Sequence, residues 1–469
     1  MSIIIPANSA VGGGFDVDNS LRFNRPNSDY LNRTQSGGSA PKKITFSTWI
    51  KRTNLGIESW MFDAPNSSNQ SDGFRHLTGD TLQFLLNDSY VLTTNRLFRD
   101  VSAWYHLVVA MDTTQNTDSN RVKLYVNGVQ ETSFSATSYP SQNATAQGLF
   151  VSGRPLYIGR QSGGNYLDGY LAETVFIDGQ ALAPTSFGEF DEDSGVWKPI
   201  DVSGLTFGTN GCYLDFEDSS ALGNDAAGSN NFTVNNLTAI DQSTDTCTNN
   251  FATLNPLGSS SQATFSEGNL KAVGQGSDDG NVFCNIVPKT GKWYAEFKIT
   301  KYDNGIPTVG IRQESSGFRN IDGTSGAVGY YNYEASVRPD GQRYTNNSTG
   351  SWGGSTFATG SIVGIALDCD NGAGYISVNG TYMNSGNPTS GASKTGAFIT
   401  WTEAQAQYGG QTFGSRIYTT SSAVEANFGS PPYSESGGNS DGNSHGNFKT
   451  SPPNGFLSLC TANISEVLS

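Results

Sequence analysis

The stretch Arg121-Val122-Lys123-Leu124-Tyr125-Val126-Asn127-Gly128-Val129 decides the fold. Val122, Leu124 and Val126 alternate with Arg121, Lys123 and Tyr125, the period of two that marks a half-buried strand. Asn127-Gly128 then supplies two residues that tolerate positive φ, as a type I′ hairpin turn requires. Just upstream, Leu107-Val108-Val109-Ala110-Met111-Asp112 reads as a buried strand. The same order returns much later, with Val363-Gly364-Ile365-Ala366-Leu367-Asp368 followed by Tyr375-Ile376-Ser377-Val378-Asn379-Gly380. The chain therefore reads as two domains of one architecture.

Composition agrees with an all-β reading. The 469 residues include 56 Gly and 11% aromatics, with only 15% charged residues. A disordered chain carries more charge and fewer rings. Abundant Gly, Asn, Ser and Thr between aromatic and β-branched runs describe short strands joined by turns. Net charge is −15, so an acidic surface repels phosphate backbones and argues against nucleic acid as a partner. Five scattered cysteines (212, 247, 284, 369 and 460) form no C-x-x-C pair, which argues against a disulfide framework or a zinc site and for structural thiols in a reducing cytosol. The start, Met1-Ser2-Ile3-Ile4-Ile5-Pro6, lacks the basic region of a signal peptide, and no apolar run approaches the ~18 residues of a membrane span.

Further strands follow from alternation, above all Ile44, Phe46, Thr48 and Ile50 against Thr45, Ser47, Trp49 and Lys51. Strands at turn-punctuated intervals over roughly 180 residues predict a two-sheet sandwich. Phe46-Ser47-Thr48-Trp49-Ile50-Lys51-Arg52, Trp104-Tyr105-His106-Leu107-Val108-Val109, Val122 to Gly128 and Tyr157-Ile158-Gly159-Arg160 resemble the laminin-G-like, concanavalin-type jelly roll. Asp168-Gly169-Tyr170-Leu171-Ala172-Glu173 and Phe190-Asp191-Glu192-Asp193-Ser194-Gly195-Val196-Trp197-Lys198-Pro199 are similar to a family of virion-associated proteins of marine bacteriophages. Asn249-Asn250-Phe251-Ala252-Thr253-Leu254-Asn255-Pro256-Leu257 and the segment from Asn454 to Asn463 resemble the same family. In the second half, Trp293, Ala295, Phe297 and Ile299 share a face, and the order of strands down to Glu425-Ala426-Asn427-Phe428-Gly429 resembles an SPRY domain. The expected organisation is two tandem concanavalin A-like β-sandwiches, at 1–200 and 265–433. An ordered linker with at least one strand spans 201–264, and a Gly-, Ser- and Asn-rich segment spans 434–469.

Catalytic constellations are weakly represented. None of His76, His106 and His445 sits in a nucleophile motif, and His106 reads as a packed strand residue. Glu189, Asp191 and Asp193 alternate as the paired acids of a glucanase would, yet the glucanase pattern ends in Glu where Asp193 stands, and Glu192 intervenes. A solvated acidic loop is the simpler reading, and no catalytic residue is assigned. Asp215, Glu217, Asp218, Asn224 and Asp225 offer the hard oxygens that calcium takes, with Asp218 and Asp225 the candidate ligands. The resemblance to laminin-G-like sandwiches adds Glu173 to that set, although Ala172 stands where relatives often carry Asp. The alternative is an acidic turn capped by its own side chains. Tyr330, Tyr331, Tyr333 and Trp352 lie in a turn-rich stretch and could stack on sugar rings, or equally fill a core.

The resemblances imply a non-enzymatic virion surface protein, made in a bacterial cytoplasm, that binds host-surface glycans as a tail fibre or receptor-binding adhesin. A capsid decoration or head fibre packed against other virion proteins is the alternative, and a polysaccharide-cleaving hydrolase stands third. A homo-oligomer is expected, a trimer by resemblance, joined through Ile3 to Ile5 and Gly437 to Asn447, because no heptad pattern supports a coiled coil.

Overall fold

The computed structural model describes residues 14–38, 41–276, 278–303, 306–313, 327–402, 410–434 and 437–468. The Ile3 to Ile5 segment lies outside them. The chain divides into two compact units between Asn250 and Phe251.

The first unit is a sandwich of two antiparallel sheets. Sheet 1 runs Val129–Gln130, Val122–Val126, Trp104–Asp112, Lys43–Arg52, Gly169–Asp178, Ser20–Phe23 and Gln242–Ser243, with Cys212–Leu214 also paired to Gly169–Asp178. Sheet 2 runs Phe134–Thr137, Ser89–Thr94, Leu82–Leu86, Ser71–His76, Ser59–Pro65, Pro155–Ile158, Tyr30–Thr34 and Thr233–Asn235. Between them lies an aromatic core in which Phe46 packs against Phe62 and Phe176, with centroids 4.7 and 4.8 Å away. The stretch read as a linker with at least one strand adds three short strands, 212–214, 233–235 and 242–243, to the first sandwich.

The Asn-Gly hairpins form as predicted. Asn127 and Gly128 have φ of 49° and 77°, and Asn379 and Gly380 of 47° and 83°. Each Asn also reaches back to the preceding strand. The Asn127 Oδ1 accepts from the His106 N–H at 2.7 Å, and the Asn379 Oδ1 from the Ile362 N–H at 2.9 Å. Both hairpins are closed by side chain as well as by turn conformation.

The second unit has a large sheet of Ala263–Ser266, Lys271–Gly274, Ser422–Asn427, Lys292–Tyr302, Ile362–Asp368, Ala373–Val378 and Thr381–Tyr382, with Ile399–Thr400 and Leu457–Ser458 paired at its sides. Its partner sheet holds Asp279–Phe283, Gln411–Tyr418, Thr308–Gln313, Ala335–Val337, Arg343–Thr345 and Ser348–Gly350. Trp293, Phe297, Ile311, Phe413 and Phe428 fill the space between. The polar tail is ordered by buried carboxylates. Asp441 accepts from the Asn443 and His445 N–H groups, from Ser458 N–H and Oγ–H and from Asn463 Nδ2. Glu296 accepts from the N–H groups of Lys449 and Thr450 at 2.9 and 2.8 Å. The tail thereby lays Phe448 and Phe456 on Tyr294 and Tyr375.

Candidate functional site

The two outer faces of the first sandwich are treated differently. The outer face of sheet 1 is covered: Trp49, Trp104 and Tyr170 pack with Trp197 and Cys247, and Val108, Val175 and Ile177 pack with Phe187 and Val202. The outer face of sheet 2 is not covered in this way. Phe62, Phe74 and Phe84 point into the core, so Arg75 and Gln83 emerge on the other side, as alternation demands. A bulge places Met61 and Phe62 both inward and turns Trp60 outward. Register then aligns Trp60, Arg75, Gln83 and Thr93 in one cross-strand row.

Trp60 lies over Gly73, where a Cβ would stand 2.5 Å from its ring. The Arg75 guanidinium sits between two rings, 4.9 Å from the centre of Trp60 and 5.7 Å from that of Tyr90, which is 55% exposed. Arg75 donates through Nε and Nη2 to Gln83 Oε1 and through Nη1 to Glu58 Oε1 at 2.8 Å. That same Glu58 oxygen accepts from Trp60 Nε1 at 2.8 Å and from Asn165 Nδ2 at 3.1 Å. Arg25 holds the Glu58 carbonyl at 2.7 Å and so fixes the backbone beneath this network.

Asn165 carries the network onward, donating also to Gln161 Oε1 at 3.2 Å. Beyond it the Arg160 guanidinium lies 4.5, 5.2 and 5.2 Å from the rings of Tyr30, Tyr157 and Tyr166. Arg160 donates to the carbonyls of Gln161 and Ser162, which pins the turn over the sheet. Ser162 N–H in turn donates to Asp63 Oδ2 at 2.8 Å, and burial raises the Asp63 carboxyl above its usual range. Asn32, opposite Tyr157, accepts from Asn235 Nδ2 at 2.7 Å. The result is a strip in which exposed Tyr90 and half-exposed Tyr30, Tyr157 and Tyr166 flank guanidinium groups and amides, with Trp60 buried beneath Arg75 at 1% exposure. Flat apolar faces beside fixed donors and acceptors are the surface a sugar ring requires.

The residues singled out from sequence are distributed elsewhere. Tyr333 and Trp352 pack against the core of the second unit, and Trp352 meets Phe398 edge-on at 4.6 Å. Tyr330 and Tyr331 are half-buried and form a T-shaped pair at 5.1 Å. Their turn is held by buried Glu334, which accepts from the N–H groups of Gly329 and Tyr331 and pairs with Arg312 at 3.3 Å. All four rings are thus half-exposed, and Tyr333 and Trp352 also lean on the core.

Glu173 sits in a sheet bulge at φ 47° and accepts from the Tyr213 hydroxyl at 2.7 Å. Burial pushes its carboxyl up to about 8. Asp225 uses Oδ1 for the N–H groups of Tyr213 and Ala227 and Oδ2 for that of Asn230. Asp218 only caps the exposed turn at Ser220. Glu173 touches the hydroxyl end of Tyr213 and Asp225 its backbone N–H, while Asp218 caps a separate turn, so the three carboxylates are not brought together as one ligand set. Among the described residues, no group of three or more His, Cys, Asp or Glu is arranged to hold a metal.

His106 lies 2.9 Å from Ser47 Oγ, a pairing that sequence spacing could not show. Trp197 Nε1, which can only donate, is 2.9 Å from His106 Nδ1. Nδ1 is therefore the acceptor and Nε2 bears the hydrogen, so this imidazole donates to Ser47 and cannot take its proton. Burial lowers His106 to about 3, keeping it neutral. Glu189 and Asp191 both pair with Lys198, at 3.4 and 3.3 Å, across the hairpin Gly188–Phe190/Trp197–Pro199. Asp191 also caps the N–H groups of Asp193 and Ser194.

Residues 25–185 match the family model described as the concanavalin A-like lectin/glucanases superfamily. A search of curated proteins found no match. Among solved structures, the SPRY domain of human HERC1 is 14% identical, with 37% of this chain and 96% of that one covered and a TM-score of 0.27. A putative carbohydrate-binding protein from Bacteroides ovatus is 15% identical, with 47% and 59% covered and a TM-score of 0.33. The native heptameric SAP-like pentraxin from Limulus polyphemus is 18% identical, with 36% and 80% covered and a TM-score of 0.28. Among the described residues no helix is long and apolar enough to cross a membrane.

Proposed function

We propose that this chain is a binding protein for cell-surface glycans, working through the open face of sheet 2 and catalysing no reaction on its ligand. The observation that carries this is the exposed Tyr90 ring beside Arg75, which is seated on buried Trp60, fixed by Glu58 and continued to the half-exposed Arg160 tyrosine cluster. A match of this domain to a lectin and glucanase superfamily supports it, since that fold presents sheet faces to sugars. The orientation of His106 and the pairing of Glu189 and Asp191 with Lys198 speak for binding over hydrolysis. Probing a glycan array with the purified chain tests this directly. Selective retention of some glycans without cleavage is expected, and no retention on any spot contradicts it.

The resemblance of 168–173 and 190–199 to phage virion proteins supports a finer reading: a tail fibre or receptor-binding protein on a bacteriophage particle, assembled as a trimer. Blocking the protein should then reduce adsorption to the host, and sedimentation should give three chains. Gold labelling on the capsid instead of the tail would favour a decoration protein.

A further inference from the structure

We infer that Glu58 is the residue that selects the ligand, and that the face takes neutral sugars with adjacent free hydroxyls and discriminates against uronate- or sulfate-bearing ones. This rests on the glycan-recognition reading above. Three donors, Trp60 Nε1, Arg75 Nη1 and Asn165 Nδ2, converge on Oε1 of Glu58. Among the described residues no donor reaches Oε2, and the side chain is 29% exposed. A carboxylate held by one oxygen presents the other as a fixed acceptor beside Arg75, whose guanidinium lies 5.7 Å from the exposed Tyr90 ring. A hydroxyl pair on a stacked sugar can donate to such an acceptor, and the charge on it strengthens the bond. A carboxylate or sulfate there would set acceptor against acceptor, with the Arg75 donors already engaged.

The cations of the face reinforce this selection. Arg75 is already neutralised by Glu58, and its Nε, Nη1 and Nη2 all donate to Gln83 or Glu58. Arg160 directs Nε and Nη2 at backbone carbonyls and Nη1 at the Tyr166 hydroxyl 3.4 Å away. Neither fork is turned outward for the bidentate grip by which arginine captures carboxylate or sulfate. The guanidinium groups here hold rings in place, and the recognising group is the outward carboxylate oxygen, which can only accept.

Glu58→Gln separates these roles. The amide oxygen can still face the three donors, while its NH2 replaces the outward acceptor with a donor. Binding of wild type and Glu58→Gln is compared by calorimetry and on an array of neutral oligosaccharides and their uronate- and sulfate-bearing counterparts. Wild type should bind neutral members only. The substitution should weaken that binding about ten-fold or more, raise retention of uronates, and leave the melting temperature unchanged. Wild-type binding of anionic glycans alone overturns this inference and leaves glycan recognition standing, as does undiminished neutral binding by Glu58→Gln. Binding of no glycan at all overturns both.

Discussion

Sheets 1 and 2 of the first sandwich carry the same chemical assembly on their outer faces, with opposite fates. On sheet 1, Lys51 pairs with Asp245 at 2.6 Å, Trp104 Nε1 donates to the same carboxylate at 3.2 Å, and Lys51 lies 5.7 Å from the Tyr170 ring. On sheet 2, Arg75 pairs with Glu58, Trp60 Nε1 donates to that carboxylate, and Arg75 stacks on Trp60 and Tyr90. Cation, carboxylate, indole N–H and ring recur in both. The indoles are buried alike, Trp104 and Trp60 each 1% exposed, and the difference lies in the cover of the ion pair. Lys51 and Asp245 are 0% and 2% exposed, because the segment from Ser243 to Asn250 is clipped over them, whereas Arg75 and Glu58 are 12% and 29% exposed. Sealed, the assembly fastens the chain. Left open, the same groups form the face proposed to meet a ligand, so residue type alone does not separate the two outcomes.

The largest break in this parallel is thermodynamic. Asp245→Ala leaves Lys51 buried without its carboxylate and should cost about 3–5 kcal/mol, because an uncompensated charge stays in a low-dielectric site. Glu58→Ala, at a partly solvated pair, also leaves the buried Trp60 Nε1 without its acceptor and should cost about 1–2 kcal/mol. Urea denaturation of the two variants measures the contrast, and equal losses would erase it. Glu173 sharpens the sealed side further. Its carboxyl ionises near pH 4.5 in the unfolded chain and about 8 when folded, so folding takes up a proton between those values. Stability should therefore fall by about 1.4 kcal/mol per pH unit as pH rises through that window. Glu173→Gln should remove this slope. Parallel stability profiles for wild type and variant between pH 5 and 8 would contradict the assignment.

How much of this was legible in the sequence follows from the range of each interaction. The strands Val122–Val126 and Lys43–Arg52 and both Asn-Gly turns are local, and alternation with turn chemistry reveals them. Alternation says which residues share a face and not whether that face is covered. The cover on Trp49 and Lys51 comes from residues near 197 and 245, far along the chain. The face proposed for ligand is hidden from sequence for the same reason and one more: Trp60, Arg75 and Tyr90 lie on three strands, and the bulge at Met61 breaks the period just where Trp60 turns away from the core. Tyr330 to Tyr333 were conspicuous because they are contiguous, yet contiguous strand or turn residues point different ways, and Tyr333 goes to the core. The Gly437 to Asn447 stretch is too polar by composition to fold alone, and a single buried carboxylate, Asp441, orders it.

Tyr90 offers the smallest structural change and the most direct test. It is the most exposed ring of the face, so Tyr90→Ala should alter stability by no more than about 0.5 kcal/mol. Loss of one stacking surface should nonetheless weaken sugar binding about ten-fold or more. The measurement is the dissociation constant of wild type and Tyr90→Ala for one array-selected neutral oligosaccharide, read beside their melting temperatures. A clear loss of affinity with an unchanged melting temperature is the predicted result. Equal affinity in the two proteins would contradict the claim that the open face of sheet 2 is where this chain meets its ligand.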